Sequence, residues 1–222
     1  IGMNIKNNIN NLLQNLPRNC KLIAVSKTKP AEKIQEAYAA GQRRFGENKV
    51  QEIVPKHETL PKDIEWHMIG HLQSNKVKYI APFISLIHSV DSISLLKEID
   101  KQGNRANRII PCLLQVHIAQ EETKFGFSED DLRQLLFSKD FELLKNIKIA
   151  GLMGMATLTA DVGQVRKEFR ELKELFEKIK TMPLPPQVEM KELSMGMSSD
   201  YSIALEEGST MIRVGTAIFG ER

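Results

Sequence analysis

Eight short segments, most of them apolar and each followed by residues with helical spacing, constrain the fold of this 222-residue chain more than any other feature. Most of the segments lack an alternation of apolar and polar residues, which is typical of strands in a parallel sheet covered by helices. They lie at 21–27, 43–48, 65–70, 86–91, 108–118, 147–156, 191–197 and 210–220. We therefore predict an α/β fold, a single (β/α)8 TIM barrel, with an open doubly wound sheet as the main alternative.

The residues before and between these segments predict the helices. An extra N-terminal helix is indicated by five apolar residues on one helical face, Ile5, Ile9, Leu12, Leu13 and Leu16. Pro30 suits the first turn of a helix that ends near Gly41, and another helix is expected to stop before Pro55. The clearest helical pattern follows the sixth segment and consists of Val165, Phe169, Leu172, Leu175, Phe176 and Ile179. No linker-like stretch divides the chain, so we expect one domain over residues 1–222.

Composition argues against several classes of function. The formal net charge of +3 is small and spread along the chain, so we expect no nucleic-acid binding, even through the basic stretches 42–49 and 71–78. No apolar run approaches the roughly 18 residues of a membrane span, and residues 1–16 lack the layout of a signal peptide. The distant cysteines Cys20 and Cys112 are typical of a reduced protein. We predict a cytoplasmic protein without membrane contact.

Polar side chains stand near the ends of the apolar segments. Because the active site of a parallel barrel lies at the C-terminal ends of its strands, these side chains are expected to meet at one rim. They are Lys27, Asn48, His67, Asp91, His117, Ser194, Ser198 and Arg213, with Met153 and Met155 in the sixth segment. His67 and His71 have i, i+4 spacing, but no carboxylate or thiol is expected to converge on them. We therefore predict no metal site.

The last two segments predict an anion site. The stretch "SMGMSSD" turns from strand into helix, where Ser198 and backbone N–H groups would meet the partial positive charge of a helix N-terminus. The stretch "RVGT" adds Gly215, which lets backbone approach a ligand, and the hydroxyl of Thr216. Loops after strands 7 and 8 of such barrels frequently hold a phosphate. The simpler alternative is that Ser198 or Ser199 caps the helix and that Gly215 only relieves crowding.

Lys27 ends the first segment, in the stretch "AVSKTKP". A lysine at a strand end is most often exposed to water. In a closed barrel, however, strand 1 adjoins strand 8, so the amine of Lys27 would lie near the predicted phosphate site. Lysine forms Schiff bases with carbonyl groups, and a ligand with a phosphate and an aldehyde could bridge the two sites. Pyridoxal 5′-phosphate (PLP) has this shape; a phosphate-binding barrel enzyme without a cofactor is an alternative.

Longer motifs cover nearly the whole chain in order. They are "AVSKTKP", "FGENKVQE", "WHMIGHLQSNK", "SVDS", "KFGF", "GLMGMAT", "LSMGMSSDYSIALEEGSTMIRVGTAIFG" and the ending "ER". In these motifs the chain resembles the pyridoxal-phosphate homeostasis proteins, the YggS/PROSC-like family, whose fold is related to the N-terminal barrel of alanine racemase. The resemblance implies a barrel like that of fold-type III PLP proteins, PLP as the cofactor and a role in vitamin B6 homeostasis.

The resemblance also implies roles for individual residues. Lys27 would be the Schiff-base lysine, and Arg213 would lie by the pyridine nitrogen. The residues implied around the phosphate are Ser194, Ser198, Gly215 and Thr216, and those implied around the ring are Asn48, His67 and Met153. At the fifth segment we expect the family to read "QVN", whereas this chain reads "QVH". The role of His117 is therefore open, and we interpret it as a variant of the pocket wall.

Two features argue against catalysis. An arginine at the ring nitrogen stays protonated, keeps the pyridine nitrogen unprotonated and weakens the ring as an electron sink. Racemases of this fold use a second base with the help of an additional β domain, which we do not expect because the sequence ends directly after the eighth segment. We expect a monomeric PLP-binding protein that stores or delivers PLP, with PLP-dependent apoenzymes as partners. The alternative is a weak PLP-dependent racemase or related enzyme, with His67 or Tyr201 as a base.

Overall fold

The computed structural model describes residues 4–121 and 125–221, and its eight strands form a closed barrel. Each strand pairs in parallel with the next one along the chain, and the eighth strand closes the barrel on the first. The strands are β1 (Lys21–Val25), β2 (Arg44–Glu47), β3 (Glu65–Met68), β4 (Leu86–Val90), β5 (Ile110–Gln115), β6 (Ile147–Met153), β7 (Val188–Met197) and β8 (Met211–Val214). The predicted (β/α)8 barrel is confirmed, and the open sheet is wrong.

Helices precede, connect and follow the strands. They are α1 (Ile5–Gln14), α2 (Ala31–Ala39), α3 (Val50–Thr59), α4 (Val77–Ile80), α5 (Ile93–Arg105), α6 (Glu129–Leu136), α7 (Lys139–Glu142), α8 (Val162–Lys180), α9 (Tyr201–Glu206) and α10 (Thr216–Phe219), with a 3-10 turn at Ser74–Lys76. The predicted N-terminal helix is α1, which packs against α2 and α10. Among the described residues, none of the helices combines the length and the apolar character needed to cross a bilayer.

Local sequence explains several of these boundaries. The hydroxyl of Ser92 accepts a hydrogen bond from the first turn of α5, and that of Ser128 from the first turn of α6, each at 3.1 Å. The apolar residues predicted for one face of α8 are all buried. After α2, Gly41 adopts a φ of +104°, a conformation that favours glycine and ends the helix.

One apolar residue of α1 does not face the protein. Leu13 is 47% exposed, whereas Ile5, Ile9 and Leu12 are buried against the rest of the chain. Consecutive residues of an α-helix differ in direction by about 100°. Leu13 is therefore turned away from the row that Leu12 belongs to, and its predicted place on the buried face is wrong.

The helix α3 continues through Pro55, where we predicted that it would stop. Proline removes one backbone hydrogen bond from a helix, but side-chain contacts fix the residues that follow. The Lys56 ammonium lies 2.9 Å from the buried Glu47 carboxylate, and the His57 ring stacks on Phe83 with 3.8 Å between ring centroids. Tertiary contacts thus offset the local cost of the proline.

The eighth apolar segment is a strand only as far as Val214, and residues 216–219 form α10. An apolar run of this kind does not distinguish a buried strand from a short buried helix. Ile218 and Phe219 of α10 are buried, and the Asn8 side chain of α1 donates a hydrogen bond to the Ile218 carbonyl oxygen at 2.9 Å. Gly215 consequently lies at the rim of the barrel, at the junction of strand and helix.

The inside of the barrel is filled with side chains. Leu86, Leu113, Met153 and Met211 form a compact apolar cluster within it, separate from the larger core between strands and helices. A barrel packed in this way has no channel along its axis. A ligand site is therefore expected at the rim.

Candidate functional site

A cavity of about 640 Å³ opens at the C-terminal ends of the strands. Six of the residues predicted for the site line it: Lys27, Asn48, Ser198, Arg213, Gly215 and Thr216. They come from β8, from the first residue of α10, and from the connections after β1, β2, β7 and β8. The structure therefore brings six of the nine residues predicted around the cofactor together in one pocket, with Met155 of the predicted rim beside them.

Lys27 lies in a tight turn directly after β1, and its side chain belongs to the cavity wall. The turn is closed by a hydrogen bond from the Lys29 N–H to the Ser26 carbonyl oxygen at 3.0 Å. Lys27 is half-buried. The simplest interpretation of the sequence, a strand-end lysine fully exposed to water, is therefore wrong.

The pairing of β1 with β8 brings the two predicted halves of the site together. Ala24 pairs with Val214, and Gly215 approaches β1 so closely that a Cβ at this position would lie 3.3 Å from the Val25 carbonyl oxygen. Lys27 follows shortly after Val25. The amine-bearing turn and Gly215 therefore lie at the same end of the barrel, on adjacent strands.

The connection after β7 is tied to the end of β8. Ser198 Oγ accepts a hydrogen bond from the Gly215 N–H at 3.2 Å. Neither serine caps α9, because its N-cap residue is Asp200, whose carboxylate accepts a hydrogen bond from the Met197 N–H at 2.8 Å. The hydroxyls of Ser198 and Thr216 both belong to the cavity wall, where they can donate hydrogen bonds to an anion.

Arg213 brings a positive charge to the cavity while being only 3% exposed. Its Nη2 donates to the Gly154 carbonyl oxygen at 3.0 Å, and its buried Nε has no hydrogen-bond partner in the described part of the chain. Burial lowers the pKa of Arg213 to about 10, with the Asp200 carboxylate acting in the opposite direction. Only about one molecule in a thousand would then carry a neutral Arg213 at pH 7, so the group remains a cation.

Three predicted site residues do not line the cavity: His67, Met153 and Ser194. They are buried inside the barrel, beneath the rim, with exposures of 4%, 0% and 0% respectively. Strand side chains alternate between the interior and the outer face of a barrel, and these three point inward from within their strands. They lie beneath the cavity in this structure, and their predicted contacts with the ring and the phosphate stay predictions.

The two buried histidines form a chain of hydrogen bonds. His67 Nδ1 lies 2.9 Å from His88 Nε2, and His88 Nδ1 lies 2.9 Å from Ser194 Oγ. Burial, helped by the positive charges of Arg44 and Lys21, lowers the pKa of His67 to about 3. Burial likewise holds the pKa of His88 well below its usual range. Both imidazoles are therefore neutral at pH 7, and His67 is not placed to serve as a base in the cavity.

The prediction from sequence missed the role of His71 in the cavity wall. Its Nδ1 lies 3.5 Å from Asp91 Oδ2, and its ring is 5.0 Å from the ring of Phe125, which also lines the cavity. The position of His71 just after β3 was the available signal, since strand ends supply such residues. Gln115 and Phe125 line the cavity too; they belong to the stretches "QVH" and "KFGF", but neither residue was predicted for the site.

His117 does not line the main cavity but an adjoining pocket of about 170 Å³. Its N–H donates to the Phe127 carbonyl oxygen at 3.0 Å. Lys124 of "KFGF" and Arg222 of the ending "ER" lie outside the described residues. Within 4–121 and 125–221, no group of three or more His, Cys, Asp and Glu residues is arranged to hold a metal ion.

Comparison with known families defines the class of protein first. The family model for the N-terminal domain of alanine racemase matches residues 3–222. The alanine racemase from Bartonella henselae has a TM-score of 0.74 at 16% identity over 98% of this chain and 60% of that one, which reflects a shared fold. The chain is thus a barrel of the alanine racemase N-terminal type.

Closer relatives define the family. The pyridoxal phosphate homeostasis protein of Aquifex aeolicus is 43% identical over 206 residues, which cover 92% of this chain and 88% of that protein. Its counterpart in Synechocystis is 40% identical over 213 residues, 95% of each chain. The structure of PipY from Synechococcus elongatus with PLP bound has a TM-score of 0.88 at 40% identity and covers 97% of this chain and 100% of that one. The chain belongs to the pyridoxal phosphate homeostasis protein family.

Replacing His67 tests the buried histidine chain. The pKa of His67 is about 3 in the folded protein, below its ordinary value of 6.5. The unfolded chain therefore binds more protons between these values, and the histidine costs stability as the pH falls. We expect His67→Gln to flatten the decline in unfolding free energy by up to about 1.4 kcal/mol per pH unit between pH 6 and 4.

Urea titrations at several pH values measure this difference. The pKa of Glu47 is raised to about 7, mainly by burial, so Glu47 adds to the unfolding free energy as the pH falls, which is opposite to the effect of His67. Because Glu47 is present in both proteins, its effect cancels in the comparison. Parallel pH profiles for the two proteins would mean that His67 is not held neutral by the fold.

Proposed function

We propose that the protein binds PLP in this cavity, holds it as a Schiff base on Lys27, and stores or delivers it in PLP homeostasis. The observation that carries the proposal is the adjacency of the Lys27 turn and Gly215 across the pairing of β1 with β8. The PLP-bound structure of PipY, at 40% identity, supports it.

The chemistry of the cavity wall fits PLP, which has a phosphate, a pyridine nitrogen and an aldehyde. The hydroxyls of Ser198 and Thr216, next to the backbone at Gly215, suit the phosphate. Arg213 has a buried Nε–H that lacks a protein partner among the described residues, and it suits the ring nitrogen. Bound PLP would supply an aldehyde carbon to which the Lys27 amine adds with loss of one water.

The other residues predicted around the cofactor lie either in the cavity wall or beneath it. Asn48 lies in the cavity wall, and we propose that it contacts the ring. His67, Met153 and Ser194 lie beneath the rim, and we assign them to support of the pocket rather than to contact with the cofactor. No other described residue is required for the proposal.

The charge on Arg213 favours binding over turnover. A guanidinium that stays protonated keeps a facing pyridine nitrogen unprotonated, and an unprotonated ring draws electrons weakly from a bound amino acid. The charge of Arg213 therefore supports storage and delivery.

The remaining parts of the proposal concern the setting of the protein. We propose a single PLP-binding domain over residues 1–222, a monomer, and PLP-dependent apoenzymes as recipients of the cofactor. We also propose a cytoplasmic location. The buried thiols of Cys20 and Cys112, which are not joined in a disulfide, support a reducing environment.

Borohydride reduction followed by peptide mass spectrometry tests the attachment to Lys27. Reduction converts a lysine Schiff base into a stable secondary amine. We expect a pyridoxyl group on the peptide that contains Lys27 and no stoichiometric modification in Lys27→Ala. Lys29→Ala is the matched control, because Lys29 lies in the same turn but not in the cavity wall, and it should be modified like the natural chain. Stoichiometric labelling of another lysine would contradict the proposal.

A weak PLP-dependent racemase is the second candidate function, and His71 is the observation that favours it. An imidazole paired with Asp91 in the same cavity as Lys27 is the kind of group that can move a proton. The candidate predicts that PLP-loaded protein interconverts amino-acid enantiomers, and that either Lys27→Ala or His71→Gln abolishes this turnover. Chiral chromatography of an amino-acid panel measures it. If protein that carries PLP on Lys27 shows no turnover, the racemase candidate is wrong and the binding role stands.

A further inference from the structure

A buried cluster of charged side chains lies behind the turn that carries Lys27, and the proposed function does not use it. Glu47, the last residue of β2, has a fully buried side chain. One of its carboxylate oxygens, Oε2, accepts hydrogen bonds from the Ser26 hydroxyl and from the Lys56 ammonium, the latter at 2.9 Å. Glu52 joins the cluster through the same ammonium, also at 2.9 Å. We call Glu47, Glu52 and Lys56 the turn cluster.

The turn cluster binds both peptide groups that flank Lys27. Lys56 Nζ donates to the Ser26 carbonyl oxygen at 2.9 Å, and this carbonyl belongs to the peptide group before Lys27. Glu52 Oε2 accepts from the Thr28 N–H at 2.8 Å, and this N–H belongs to the peptide group after Lys27. Side chains from a neighbouring helix therefore fix the backbone on each side of the Lys27 Cα.

The conformation of Thr28 shows why the turn needs such support. Its φ is +64°, in the left-handed region that β-branched residues rarely adopt. A residue in this region keeps its conformation when the surrounding structure over-determines it. The hydrogen bond from Thr28 to Glu52 supplies part of that constraint, and the bond that closes the turn at Ser26 supplies another.

We propose that the turn cluster positions Lys27, so that its amine meets the aldehyde of bound PLP in a reactive orientation. The inference rests on the proposed function and deepens it. Glu47, Glu52 and Lys56 are absent from the cavity wall, so they act through the turn and not on the cofactor. Because orientation of reacting groups governs rate, the cluster sets the speed of PLP capture more than the affinity of the phosphate site.

The charge of Glu47 makes capture depend on pH. Burial raises the pKa of Glu47 to about 7, although hydrogen bonding by Ser26 and the charge of Lys56 oppose the shift. The groups that face it are Lys56 and Glu52 of α3 and Ser26 of the turn. Its second oxygen, Oε1, is buried without a hydrogen-bond partner in the described chain. As the pH falls through 7, Glu47 takes up a proton, and its attraction for Lys56 is lost.

Two ligands separate positioning from binding. The rate at which PLP becomes attached to Lys27 is followed by absorbance, and the affinity for pyridoxamine 5′-phosphate, which has an amine in place of the aldehyde, reports on the pocket alone. We expect Glu52→Ala to slow PLP capture about tenfold and to leave the affinity for pyridoxamine 5′-phosphate within about twofold. Glu58→Ala is the matched control, an exposed glutamate of the same helix, and should change neither quantity.

The pH profile of capture provides a second readout. In the natural chain we expect an extra decline below pH 7 that Glu47→Gln lacks, since glutamine does not titrate. Equal capture rates for Glu52→Ala and Glu58→Ala would overturn the proposal. It would also be overturned if Glu52→Ala lowered the affinity for pyridoxamine 5′-phosphate by the same factor as the rate of PLP capture. If Glu47→Gln does not fold, the Glu52→Ala comparison decides alone, because the Glu52 side chain is 27% exposed and tolerates replacement better. Failure of the natural chain to attach PLP at Lys27 would instead overturn the proposed function.

Discussion

The site depends on the closure of the barrel, in which β8 pairs with β1. This pairing sets Ala24 beside Val214 and so makes neighbours of two segments from opposite ends of the sequence. Lys27 then shares a cavity with Gly215 and Thr216, and Ser198 joins them through its hydrogen bond to Gly215. In an open sheet with β1 and β8 apart, the same residues would form no common site.

Below the rim, buried polar groups support the site and do not change their charge near pH 7. The hydrogen-bonded chain of His67, His88 and Ser194 is neutral at pH 7, because burial holds the pKa of both histidines low. Arg213 keeps its charge, because burial lowers its pKa only to about 10. A neutral support beneath the Arg213 cation suits a protein that binds an anionic cofactor, and the two buried histidines do not change charge near pH 7.

The sequence was sufficient for the order of the elements and for most of the rim, because strand ends converge in any closed barrel. It was insufficient to tell which strand residues reach the rim and which lie buried beneath it. His67, Met153 and Ser194 are in the predicted strands, but the direction of a side chain depends on strand tilt and register. The helical end of the eighth segment was missed because apolar residues suit a buried helix and a strand alike. Glu47 and Lys56 went unnoticed because they meet only in three dimensions.

A crystal structure of the borohydride-reduced protein loaded with PLP would show directly whether the cofactor is attached to Lys27 and bound at the junction of β7 and β8. We expect continuous density from Lys27 Nζ to the cofactor, with the phosphate against Ser198, Gly215 and Thr216 and the ring nitrogen facing Arg213. Density that joins the cofactor to another lysine, or a phosphate bound away from the junction of β7 and β8, would contradict it.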